Sequence, residues 1–94
     1  TMPDPYYRAA PSGALRIEPL GELTAIFDRR SMQTHLVVSP MPEILHAMGA
    51  DDCDAATVAV RLAESFDFGG AEEVQPILAE RLSELAAMGL VARA

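Results

Sequence analysis

The chain has 94 residues, 50% of them hydrophobic, with 7 Arg and no Lys against 14 Asp plus Glu, for a formal charge of −7. At this length one domain is the ceiling, and a core closes without disulfide or metal because roughly two thirds of the unfolded surface is buried. The charge opposes a polyanionic partner, since nucleic-acid affinity comes largely from Lys and Arg neutralising phosphates. No apolar run approaches the roughly 18 residues of a membrane span and no basic-then-apolar leader is present, so a cytoplasmic protein is expected.

Residues 1 to 13 hold Pro3, Pro5 and Pro11 plus Ser12 and Gly13, without periodicity, and read as a flexible tail in which Tyr6 and Tyr7 are free to dock. The folded domain is expected over residues 14–94. Leu15 to Glu18 alternates apolar and charged residues with period two until Pro19 and Gly21 interrupt it, and Leu23 to Phe27 carries types suited to a pleated surface. Thr34 to Val38 is β-branched in three of five positions, and Pro40 ends it. Three short strands joined by tight links favour an antiparallel meander.

From residue 40 the period becomes helical. Met41, Ile44, Leu45 and Met48 share one face, with Pro42 suited to the first turn and Gly49 past the end. Asp54 is a candidate N-cap for a second helix in which Ala55, Val58, Ala59, Leu62 and Phe66 share a face until Gly69 and Gly70 break it. A third carries Val74, Ile77, Leu78, Leu82 and Leu85 on one stripe, and Pro76 predicts a regular start around residues 73 to 75. Gly89 followed by Leu90 is its end signal. The fold class is therefore α+β, a three-stranded antiparallel sheet followed by three helices, the layout of a winged helix-turn-helix.

The residues give chemistry little to work with. His35 and His46 lie eleven residues apart without a zinc spacing, and the lone Cys53 sits among Asp51, Asp52 and Asp54, whose charge raises a thiol pKa. That acidic cluster lacks the glycine and distal glutamate of a calcium loop. Glu72 and Glu73 diverge by about 100° on a helix, and no phosphate loop is present. No enzyme, cofactor or metal is expected. A DNA-binding regulator is the rival that the architecture suggests, but between Ala71 and Met88 four Glu stand against Arg81 alone. The third strand would lie at a sheet edge with no charge, Lys or internal Pro to protect it, so it is either covered by the rest of the fold or open to a partner strand or a homodimer.

Thr34-His-Leu-Val-Val-Ser-Pro-Met-Pro-Glu-Ile-Leu-His-Ala-Met48, the helix start from Asp54 to Leu62 and the end Leu82-Ser-Glu-Leu-Ala-Ala-Met-Gly-Leu-Val91 resemble the PqqD-like peptide chaperones, or RiPP recognition elements. Leu23 to Leu45 looks closest to the HPr-rel-A system branch. The resemblance spans residues 14 to 92 and departs at Ser39 and Pro40-Met41-Pro42, where the family often has Asn and a small residue. It implies a non-enzymatic domain that binds the leader of a ribosomally made precursor peptide by strand addition and presents it to a modifying enzyme. Carried over, it makes His35, Leu36, Val37 and Val38 backbone partners of the leader. Val74, Ile77, Leu78 and Arg81 become groove residues on the third helix, where core packing is an equal reading for Val74 and Leu78.

Overall fold

Alternating patterns become strands and the 3.6-residue patterns become helices. The computed structural model describes residues 4–11, 13–65 and 71–94, with strands β1 (Tyr7–Ala9), β2 (Leu15–Leu20), β3 (Leu23–Asp28), β4 (Gln33–Val38) and β5 (Val91–Arg93) and helices α1 (Met41–Met48), α2 (Ala55–Ser65) and α3 (Ala71–Ala87). The expected turn at Gly69 and Gly70, the tail residues Pro3 and Ser12, and Phe66 lie outside the described residues. β2, β3 and β4 form an antiparallel sheet in that order, and β1 and β5 form a separate two-stranded ribbon. The α+β class and the meander stand as expected, but the order is corrected: one strand precedes the three and another follows the helices.

The N-terminal segment is tied down rather than a free tail. β1 pairs antiparallel with β5 in the register Tyr7 with Arg93 and Ala9 with Val91. Its other side exchanges two backbone hydrogen bonds with Cys53, Tyr7 N–H to Cys53 C=O and the reverse, each 2.8 Å. Tyr7 is buried, and the Arg93 guanidinium lies 5.9 Å from its ring centroid. A burial of this kind satisfies the backbone groups that a mobile arm would leave to water.

β2 runs through Pro19, two residues beyond the expected stop, because an outer strand tolerates a residue that donates no ladder bond. Gly21 takes φ +69 at the first central position of the two-residue turn to β3, a backbone region that only glycine enters freely. In the β3 to β4 turn Asp28 is buried. Arg30 Nε and Nη2 donate to its two carboxylate oxygens at 3.0 Å, and the same Nη2 donates to Gly89 C=O at 2.9 Å. The guanidinium thus ties the hairpin to the end of α3, and it holds the Asp28 carboxyl below its ordinary pKa.

Each helix is ended by a device visible in its residues. Asp54 caps α2, accepting from the Thr57 N–H (2.9 Å) and hydroxyl (2.7 Å), which lowers its pKa. α3 closes in a Schellman motif: Leu90 N–H donates to Leu85 C=O and Gly89 N–H to Ala86 C=O, both 3.0 Å, with Leu85 and Leu90 buried together. It starts at Ala71, earlier than expected, with Pro76 inside and the bond to the Glu72 carbonyl forgone. The core joins Ile44 and Met48 of α1, Val58 and Leu62 of α2, Leu82 and Leu85 of α3, and Ile26 and Val37 of the sheet. Among the described residues no helix is long and apolar enough to cross a membrane.

Candidate functional site

β4 is an outer strand of its sheet, paired on one side with β3 from Gln33 opposite Asp28 to Val38 opposite Leu23. Its other side has no strand partner among the described residues, so alternate N–H and C=O groups along it are unpaired in the ladder. Alternation turns His35 and Val37 to the face shared with Ile26 and the core, and Leu36 and Val38 to the opposite face. Val37 is accordingly buried, while Leu36 and Val38 are 62% and 53% exposed.

A cleft of about 240 Å³ lies between this strand and α3, lined by Leu36, Val37 and Val38 on one side and Arg81, Glu84 and Met88 on the other. The β4 to α1 corner closes one end with Pro40 and Met41. There the Ser39 to Pro40 peptide bond is cis, and the Ser39 hydroxyl donates to the Glu43 carboxylate. Arg81 Nη1 donates to Glu84 (2.9 Å) and Nη2 to Glu80 (3.4 Å). Its Nε and the Nε2 of His35 are shut away from solvent without a hydrogen-bond partner among the described residues. A buried donor without an acceptor is unfavourable, so the Arg81 Nε gains from an acceptor brought into the cleft.

The expected groove residues divide by helix face. Leu78 is buried in the core and Val74 packs against it half-buried, which places both on the packing stripe with Leu82 and Leu85, the second of the two readings given for them, rather than in the groove. Ile77 leaves that stripe: it is 52% exposed and lies four residues before Arg81, on the same helix face. The cleft wall on α3 is Arg81, Glu84 and Met88, at spacings of three and four, and Ile77 shares that helix face without lining the cleft. Glu84 and Met88 went unread in the sequence, although continuing the spacing from Ile77 would have reached both.

The other candidates resolve as structure. Asp52 pairs with Arg8 (2.7 Å) and Asp51 with Arg61 (2.8 Å), whose Nη1 also donates to the Ala47 and Met48 carbonyls at the end of α1. Cys53 is fully buried, and burial is the main cause that pushes its thiol pKa up; the surrounding aspartates add to it and Arg61 opposes it. Glu72 and Glu73 are exposed in the first turn of α3. Among the described residues no group of three His, Cys, Asp or Glu side chains comes together to hold a metal ion. Comparison with protein-family models, with curated proteins and with solved structures returned no match.

Proposed function

We propose that the chain is a non-enzymatic, cytoplasmic peptide-binding domain of the PqqD-like kind, with a winged-helix-like fold. In this reading it captures the leader of a ribosomally made precursor peptide by adding it as a strand to β4 and presents it to a modifying enzyme. The observation that carries the reading is the unpaired, uncharged β4 edge opening onto a cleft whose far wall is one stripe of α3. Main-chain hydrogen bonds along His35 to Val38 supply affinity, and side chains of the added strand that turn toward the α3 wall of Arg81, Glu84 and Met88 supply selectivity. Four exposed glutamates on α3 repel a phosphate backbone and disfavour the DNA-binding alternative.

Titrating an isotope-labelled chain with a leader fragment tests this by amide resonance shifts. The expected outcome is shifts across residues 34 to 39 and along Ile77 to Met88, with the amides of β4 gaining protection from hydrogen exchange. Shifts confined to α2, with β4 silent, would overturn the mechanism.

A further inference from the structure

The turn between β2 and β3 sets which backbone groups of β4 are free. Leu20 and Leu23 close a two-residue turn with Gly21 at φ +69, and such a closing pair exchanges both of its ladder bonds. Hydrogen-bonded pairs then recur at every second residue, Glu18 with Ala25 and Arg16 with Phe27. Pro19, which has no N–H, falls in the other phase with its nitrogen turned away from β3, so the missing donor costs the ladder nothing. Along β3 it is therefore Thr24, Ile26 and Asp28 that turn their backbone groups to β4, where they meet Val37, His35 and Gln33. His35 and Val37 spend their backbone groups on β3. The N–H and C=O groups of Thr34, Leu36 and Val38 point outward from the edge, and the side chains of these residues lie on the outer face, where Leu36 and Val38 are exposed.

We infer that the segment this edge takes carries an apolar residue, then an asparagine or glutamine, then a second apolar residue. This rests on the peptide-binding reading and adds the ligand's side-chain pattern to it. In antiparallel addition, the more stable pairing, the two apolar residues stand opposite Leu36 and Val38 and share their face. There they cover two exposed aliphatic side chains and lengthen the cross-strand rows of Ala25 with Leu36 and Leu23 with Val38. The residue between them stands opposite Val37 and turns to the inner side, into the cleft walled by Arg81, Glu84 and Met88. Among the described residues Arg81 Nε has no acceptor, while its other two nitrogens bond Glu84 and Glu80. Two glutamates around one guanidinium leave this wall net negative, which opposes a carboxylate on the ligand. A side-chain amide is uncharged; its carbonyl accepts from Arg81 Nε and its NH2 group donates to Glu84. An apolar residue at that position would leave the buried donor unpaired.

Three synthetic peptides alike except for a Val-Asn-Val, Val-Ala-Val or Val-Asp-Val core, titrated into the isotope-labelled full chain, test it. The Val-Asn-Val peptide is expected to bind about tenfold tighter than either of the others. It should slow amide exchange at Thr34, Leu36 and Val38, which in the free chain exchange faster than His35 and Val37. Arg81→Lys keeps the charge and removes Nε, and is expected to bring the Asn and Ala peptides to within about twofold of each other. The exchange pattern of the free chain provides a readout that needs no variant. Equal affinity of the Asn and Ala peptides, or tighter binding of the Asp peptide, with β4 shifting in each case, overturns this inference while strand addition stands. Faster exchange at His35 and Val37 than at Leu36 and Val38 overturns the phase and the pattern with it. A β4 silent toward all three peptides removes strand addition together with the inference.

Discussion

Asp28 carries a buried carboxylate paired with Arg30, and the pair decides how the hairpin responds to acid. Hydrogen bonds from Arg30 lower the folded-state pKa below the ordinary carboxyl value, which makes the stabilisation complete above that value and lost as pH falls through the folded one. Thermal melts should therefore show the β3 to β4 turn and the end of α3 weakening below about pH 4. Asp28→Asn should melt lower than wild type at pH 7, and the gap should close toward pH 3; a gap constant with pH would remove the ion pair as its cause. In the sequence Asp28 to Gln33 reads only as a polar connection. The tie from Arg30 to Gly89 spans 59 residues, and no local pattern encodes it.

Among the elements, those whose pattern is long and local were legible and those held by distant partners were not. The α1 stripe of Met41, Ile44, Leu45 and Met48 is buried as its spacing predicts, and the Asp54 cap and Gly89 stop sit where their residue types imply. Removing the cap with Asp54→Ala should cost about 1 kcal/mol in urea unfolding, with the midpoint lower and the slope unchanged. β1 and β5 escaped notice because three residues are too few to establish a period of two, and each becomes a strand only by meeting the other. The two faces of α3 show the same limit at half scale. Ile77 and Leu78 are adjacent apolar residues, and only the positions of the sheet and α2 decide which one is packed and which one is exposed.

Charge is segregated along the chain, with five acids and four arginines in residues 1 to 50 against nine and three in residues 51 to 94, which hold α2 and α3. A strand laid on β4 would run beside Glu84, which lines the cleft and is exposed on α3. A leader with Lys or Arg flanking its strand-forming core is therefore expected to bind tighter than the same core flanked by Glu, and the difference should shrink as ionic strength passes about 0.15 M. Calorimetric titrations of the two peptides at low and high salt would measure it; equal affinities at low salt would separate recognition from charge.

The ribbon of β1 and β5 joins residues far apart along the sequence, Tyr7 to Arg93 and Ala10 to Leu90. Its pairing has the longest sequence separation in the fold, so its loop-closure entropy is recovered only after the hairpins and helices have drawn the ends together. That makes the ribbon late to assemble and, with three residues per strand, early to open. Opening it would release the backbone bonds between Tyr7 and Cys53, and alkylation of the buried Cys53 thiol is expected to track that opening.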